Sequence, residues 1–463
     1  MNKKKPLNSN TFVLIFLIIV LAWVASFLIT PGTLVDGVYT ALPKNPVNFN
    51  TVFNLFRAVP YGIKDTANLV ILVLIIGGAL EIYSETGAIE AGVTSLVRKF
   101  GGGSRAMLLM VVMVVFSVLG GFLGWIETLI PFAPLVVAVV FAMGYDGIVA
   151  ASVLIIGLMG GFMPGPTNLY TVGVCNGVLQ TMGILPADGD VFVGLGYRTV
   201  LWVIFTVVGV AYVMMYANKI SKDPTKSLTY GTDVSGLAID TSKDVKMTGR
   251  QILVLVSIVA AMIMVIIGMQ YGFGGVKWGM DDVSAIFFVS ALFSGLICSI
   301  KPSDLADAFV KGAGGAMSGA LVIGLARGVY WVLNVANVNA TIVYKGIQLL
   351  EGLSPLVAGV GIIVLVFFLD ALIPSGSGKG ALMSPIIVPI AMELGLSDQC
   401  SVLAYQFGDG LANMFWFSYG TLMIFLGFAK VPIQKWYKFF TPLLVIYFVI
   451  SVASMAVAIN IGF

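Results

Sequence analysis

The chain has 463 residues, 59% apolar and 10% charged, with a mean hydropathy of +1.02 and a formal net charge of +3, a composition that excludes a soluble globular domain and marks a polytopic membrane protein. Histidine is absent, which excludes imidazole proton relays, imidazole metal sites and Ser-His triads. Cys175, Cys298 and Cys400 are scattered through apolar sequence with neither metal spacing nor an even count, so no disulfide framework or metal centre is expected.

The N-terminal MNKKKPLNSN leads into an apolar run from Thr11 to Ile29 that is long enough to span and lacks a clear cleavage pattern, so a transmembrane helix is expected over 11 to 30. Further ordinary spans are expected near 66 to 84, 196 to 217, 250 to 270, 283 to 300, 314 to 334 and 438 to 460. The segments 148 to 180 and 398 to 428 are long enough to cross but carry residues that cannot continue a helix smoothly. The apolar arms 107 to 119 and 132 to 144, and again 356 to 371 and 384 to 395, read as too short to span and flank Gly/Pro/polar clusters at 120 to 131 and 374 to 380. They are expected to form two re-entrant hairpins. Amphipathic stretches at 88 to 100 and 338 to 351 suit the interface plane.

The order is repeated. A shift of 251 superimposes Pro134 on Pro385, Gly144 on Gly395 and Gly157 on Gly408, and IGGALEIYSETGAI at 76 to 89 resembles IGLARGVYWVLN at 323 to 334. Basic residues orient the chain, because cytoplasmic loops retain them. Lys219, Lys222, Lys226, Lys243, Lys246 and Arg250 mark the loop 218 to 250 as cytoplasmic. Lys3, Lys4 and Lys5, then Arg98, Lys99 and Arg105, Lys301 and Lys311, and Lys430, Lys435 and Lys438 agree if each hairpin returns to its own side. The expected organisation is an all-α inverted repeat: residues 1–217 form one half, 218–282 a loop and connecting span, and 283–463 the other half. The N-terminus is expected in the cytoplasm, with the chain in a bacterial inner membrane.

Broken helices leave backbone N–H and C=O groups that a solute, ion or water must satisfy in a dry membrane. Half-helix N-termini suit a carboxylate, and unwound carbonyls suit Na⁺. Gly120, Gly121, Gly124, Gly376 and Gly378 permit close backbone approach, and Ser375 and Ser377 add hydroxyls. Glu127 at the first tip requires a partner at depth: a solute ammonium, a coupling cation or Lys379. Asp409, within the GDG of the second interrupted segment, is a parallel case, with Asn413 and Ser418 beyond it and Thr167, Asn168 and Thr171 as neutral counterparts in the first half. Asp370 lines the same cavity or is paired structurally. Lys379 binds a carboxylate or stands in the place of a cation. SGSGKG is not a phosphate loop: Ile373 and Gly380 occupy positions where that pattern requires Gly and Ser or Thr. Glu81 and Arg327 are expected to be structural, pairing with each other or with a mobile part.

IPSGSGKGALMSPI at 373 to 386, QFGDGLANM at 406 to 414, GLARGV at 324 to 329 and IETLIPFAPL at 126 to 135 resemble the YfcC-like branch of the four-carbon dicarboxylate anaerobic carrier family, over nearly the whole chain. The resemblance implies the ion transporter superfamily fold, a homodimer, and a fixed scaffold beside an elevator-type transport domain. It places site elements at Glu127 and Thr128, at Thr167 and Asn168, at Ser375, Gly376, Ser377 and Lys379, and at Asp409 and Asn413. Gly124 and Gly378 complete the expected substrate contacts, and Glu127, Thr171, Asp409 and Ser418 are the candidate ion ligands. Two positions depart from the family pattern: Lys379 stands where an uncharged polar residue, often Gln, is usual, and the first break is poor in Ser, Thr and Asn. No cofactor, nucleotide, nucleic acid or enzyme activity is expected, and Lys379 puts Na⁺ coupling in question. The expected function is secondary transport of a small carboxylate-bearing solute; the branch resemblance implies an amino acid, by basic amino acid exchange or uptake, with a C4-dicarboxylate as the alternative. An ion channel is the alternative of another class.

Overall fold

The computed structural model describes residues 11–35, 38–99, 104–232 and 247–463. Lys3, Lys4, Lys5, Phe100, Lys243 and Lys246, which enter the sequence argument, lie outside them. The described chain is mostly helical, and seven of its helices are long and apolar enough to cross a membrane: Ala67–Glu85, Arg105–Leu123, Leu195–Lys222, Gly249–Met269, Met280–Ile297, Pro302–Val335 and Ile433–Asn460.

The chain opens with α1 (Thr11–Leu28), followed by an antiparallel hairpin of β1 (Gly32–Val35) and β2 (Val38–Ala41) that the apolar pattern did not anticipate. Gly32 donates its N–H to Asn337 O at 2.8 Å, and the Tyr39 ring stacks on Tyr344 at 4.4 Å, fixing the hairpin against the second half. Next comes α2 (Phe49–Asp65), started by a capping box between Asn48 and Thr51 and also unanticipated, since Pro60 and a polar face hide it in hydropathy. It is followed by α3 (Ala67–Glu85) and α4 (Ala88–Lys99).

Two expected hairpin arms are corrected, one of them 384 to 395, which belongs to an 18-residue helix, Gly376–Glu393. α5 runs from Ser104 to Leu123, 20 residues rather than a short arm over 107 to 119. Gly120 and Gly121 continue the helix, and it stops only at Gly124, whose φ of +68° favours glycine. A 3-10 turn (Glu127–Phe132) leads into α6 (Ala133–Ala142). The first interrupted helix is α7 (Gly147–Ser152), a π-helical run (Val153–Met159) and α8 (Gly160–Phe162). It breaks over 163–168 and resumes as a π turn (Leu169–Gly173) and α9 (Val174–Thr181). Then follow α10 (Leu195–Lys222), α11 (Gly249–Gln270), α12 (Met280–Ile297), α13 (Pro302–Val335) and α14 (Asn339–Gln348). The 34 residues of α13 greatly exceed the span expected over 314 to 334. The second hairpin is α15 (Pro355–Asp370) and α16 (Gly376–Glu393). SGSGKG is therefore not a loop: Ser375 caps α16 by accepting the Gly378 N–H at 3.2 Å, and Lys379 sits in its first turn. α17 (Asp398–Asn413), α18 (Gly420–Phe428) and α19 (Ile433–Asn460) close the chain. Asp409 lies inside α17, not in a break, because the helix unwinds only over 414–419.

Adding 251 to element boundaries exposes the repeat at the level of local structure. The start of α5 at 104 maps to 355, the start of α7 at 147 to 398, the end of α8 at 162 to 413 and the start of α4 at 88 to 339, each an observed boundary. Gly144 and Gly395 end corresponding helices at φ +86° and +85°. Asp146 and Ser397 then cap the following helices by accepting the N–H groups of Val149 and Cys400, both at 2.9 Å. The two glycines are identical and the two capping residues differ, yet each pair carries the same backbone instruction.

The helices pack in two groups. α13 lies along α2 and α3 with α1 beside it, and α12 joins α3 to α11. In the other group α5 packs on the π run and α8, α17 packs on α15 and α16, and α10 and α19 cover them. The groups meet where α18 touches α13 and where α11 touches the 3-10 turn. Close helix crossing depends on small residues. A Cβ on Gly120 would stand 2.0 Å from Leu158 O, a backbone atom that cannot rotate away. Gly120→Val is therefore expected to cost about 3 kcal/mol or more, at the upper end of overpacking. Gly314→Ala, with nothing within 4 Å of the new methyl, is expected to be neutral or slightly stabilising. Thermal unfolding of the purified variants in detergent checks both.

Candidate functional site

Two tips and two breaks converge. Thr167, in the first break, donates its hydroxyl to Phe122 O at 2.6 Å, tying that break to the end of α5. Asn168 holds both sides of the same break: its amide donates to Phe162 O at 3.0 Å, and its Oδ1 accepts the N–H groups of Tyr170 and Thr171 at 3.0 and 3.3 Å. A Cβ on Gly124 would meet the Tyr170 ring at 3.0 Å, so the first tip sits against this break. Glu127 reaches across to the second break, where its Oε1 accepts the Tyr419 hydroxyl at 2.9 Å. The second tip closes on α17: Tyr405 donates to Gly376 O at 2.5 Å, and a Cβ on Gly376 would lie 3.1 Å from Asp409 Oδ2. Trp436 of α19 donates its indole N–H to Met414 O in the second break at 2.9 Å, and Trp416, inside that break, donates its own to Phe367 O of α15 at 2.6 Å, tying the break to two neighbouring helices.

At the centre lies a fully buried charge cluster. Lys379 Nζ donates to Asp370 Oδ1 and lies 3.1 Å from Asp409 Oδ1, and all three side chains are shielded from solvent. Asn413 donates to the other Asp409 oxygen at 3.0 Å. Buried charges persist where they are paired and hydrogen-bonded. One ammonium against two carboxylates leaves a formal surplus of one negative charge, before Glu127 is counted. Asp370 Oδ2 and Asn413 Oδ1 are buried without a hydrogen-bond partner among the described residues, so acceptor capacity is left over around the cluster, and Thr171 Oγ1 is likewise unpartnered in the π turn after the first break.

Several expectations change. Lys379 does not pair with Glu127: its reach is taken up by Asp370, one turn before the tip, and by Asp409. Asp370, open between two readings in the sequence, is a member of the cluster. Glu81 and Arg327 do not pair with each other: Glu81 binds Lys311 at 2.6 Å, and Arg327 binds Asp65 at 3.4 Å. Thr128 is buried behind the first tip, and Ser418 contributes a 3.4 Å contact to Asp370 O. Ser375, Ser377 and Gly378 stay at least partly exposed at the start of α16.

Arg198 went unremarked in the sequence. It is fully buried in α10, donates to Gln406 Oε1, and reaches Gln399 Oε1 at 3.4 Å. Gln406 passes the connection to Gly165 O at 2.8 Å, and Gln399 to Asn176 Oδ1 at 3.0 Å. This network clamps α17 to the first break. An arginine inside an expected span was the available signal.

The family model of the C4-dicarboxylate anaerobic carrier matches residues 9–460. The chain is 28% identical over 428 residues to the Escherichia coli K12 protein named "Putative basic amino acid antiporter YfcC", covering 89% of this chain and 81% of that one. It is 26% identical over 397 residues to an uncharacterized protein of Haemophilus influenzae, covering 84% and 75%. Two solved transporters align over 98% of the chain at a TM-score of 0.42: Alcanivorax borkumensis YdaH, 15% identical with 99% of its chain covered, and Neisseria gonorrhoeae MtrF, 17% identical with 95% covered. Matched along almost its entire length, the chain belongs to the C4-dicarboxylate anaerobic carrier family, a family of membrane transporters.

Proposed function

We propose that the protein is a secondary transporter that exchanges or takes up a small amino acid, preferentially one with a cationic side chain. The observation that carries this reading is the pairing of Lys379 with two carboxylates, those of Asp370 and Asp409. A lysine already facing two carboxylates is a poor ligand for the carboxylate of a solute. The surplus negative charge, with Glu127 nearby, instead favours a solute ammonium or guanidinium. The name carried by the E. coli relative, a basic amino acid antiporter, agrees with this choice. The C4-dicarboxylate reading rests on the family description and loses the lysine that the sequence offered it.

In this reading the two hairpins are re-entrant and enter from opposite sides, as an inverted repeat requires, with the N-terminus in the cytoplasm and the chain in the inner membrane. The group built on α5, α15, α16 and α17 moves as an elevator against the group built on α13, within a homodimer. The Lys379 ammonium occupies the place a coupling cation would take, so exchange proceeds without Na⁺. Counterflow in proteoliposomes preloaded with unlabelled solute tests it. Labelled arginine is expected to accumulate equally in Na⁺ and choline media, with succinate at the level of empty liposomes. Succinate counterflow without arginine counterflow would move the assignment to a dicarboxylate carrier.

A further inference from the structure

A cavity of about 500 Å³ lies between the start of α16, the C-terminal part of α13 and the β1 strand, within the size range of small-molecule sites. Its polar lining includes Arg327, Tyr330, Asn334, Asn337 and Ser375, and Gly378 completes the wall at the second tip. The first turn of α16 is a partition. Ser375 and Gly378 face the cavity, while Gly376 abuts Asp409 and Lys379 is buried in the cluster behind.

Arg327 is the charged residue of this lining, and no acidic residue joins it among the described residues. Its guanidinium lies 4.0 Å above the Tyr330 ring, and its Nε alone contacts Asp65, itself more than a third exposed, at 3.4 Å. No hydrogen bond from either Nη forms among the described residues. A guanidinium held flat by an aromatic face, with its outer edge free, matches the two oxygens of a carboxylate. The N-terminus of α16 opens on the same cavity and favours the same sign of charge.

We infer that Arg327 receives the carboxylate of the incoming solute in this cavity and is a specificity-determining residue, while the carboxylates behind the α16 partition receive the cationic end. The inference deepens the proposed function and rests on its carboxylate-bearing solute. The cavity and the cluster present opposite signs on the two sides of one helical turn, the arrangement that recognition of a zwitterion requires once that turn opens.

The test compares arginine with agmatine, its decarboxylated analogue, as competitors of labelled arginine counterflow. In the native protein agmatine is expected to compete at least ~10-fold more weakly. Arg327→Gln is expected to raise the arginine KM by about 10- to 100-fold with the maximal rate little changed, and to erase the preference over agmatine, whereas Arg327→Lys restores part of it. Retained preference in Arg327→Gln would overturn the assignment. So would Asp65→Asn giving the same loss, because the pair with Asp65 would then be the relevant contact. A readout without transport separates this inference from the transport reading. In a Cys298→Ser background, Asn334→Cys is expected to react faster with an anionic than with a cationic methanethiosulfonate, and Arg327→Gln to abolish that difference. The difference surviving Arg327→Gln would sink the anion subsite. Its loss, in a protein that moves neither arginine nor succinate, would uphold the subsite and refute the transport reading.

Discussion

Lys379→Gln is expected to lose Na⁺-independent arginine counterflow and to unfold at markedly lower temperature in Na⁺-free detergent solution. The substitution removes the one cation from a cluster in which Asp370 and Asp409 are wholly buried, and a glutamine amide cannot neutralise either of them. Breaking a buried pair by deleting one partner costs about 3–5 kcal/mol, most of it from the charge left behind. Two further measurements identify the cause. Na⁺ is expected to restore part of the stability and part of the transport, because it supplies the missing charge among oxygen ligands. Asp370→Asn in the Lys379→Gln background is expected to recover stability, with a non-additive coupling of about 1–3 kcal/mol. A Lys379→Gln protein as stable and as active as the native one without Na⁺ would rule out the built-in cation. Chloride salts of choline serve as the ionic-strength control.

What the sequence revealed about this fold and what it withheld divide along a physical line. The matching helix boundaries at Gly144 and Gly395 are legible because turns and caps are local instructions: a glycine at positive φ followed by a capping side chain fixes a boundary without reference to distant residues, whereas Pro134 and Pro385 fall at the start of one helix and inside another. Glu127, Asn168, Lys379 and Asp409 stand out because polar groups are costly in apolar segments; Glu127 and Asn168 lie at the first tip and break, and Lys379 pairs with Asp409 inside α17. Their partners were not legible. Tyr419 lies 292 residues from Glu127, and Gln406 lies 208 from Arg198, separations at which one sequence carries no pairing signal.

The errors have similar causes. In the sequence Gly120 and Gly121 read as part of a tip, whereas they are the contact surface that lets α5 press on the backbone of Leu158 and Gly161. Composition alone does not separate a glycine that breaks a helix from one that lets two helices touch. SGSGKG posed the same ambiguity and resolved into a capped helix start. The β1–β2 hairpin did have a local signal, since Asp36-Gly37 separates two short β-branched runs, a dipeptide suited to a two-residue turn. It was hidden by an expectation of helices only.

Glu127→Gln is expected to reduce arginine counterflow by at least ~100-fold while leaving the protein folded. The amide oxygen can still accept the Tyr419 hydroxyl now held at 2.9 Å, so the tie between the first tip and the second break survives. The negative charge does not survive, and the cationic end of the solute loses the carboxylate at the first tip. Tyr419→Phe makes the converse change, deleting the hydrogen bond and keeping the charge. Loss of a single hydrogen bond of this kind is worth about 1–2 kcal/mol, so a decline of roughly ten-fold is expected there. Both variants should unfold within a few degrees of the native protein in detergent, and the order of their transport rates carries the information. Glu127→Gln far below Tyr419→Phe assigns Glu127 to the solute. The reverse order, or equal losses accompanied by a fall in unfolding temperature, would make the carboxylate a structural tie between tip and break and leave the cation, among the described residues of the site, to Asp370 and Asp409.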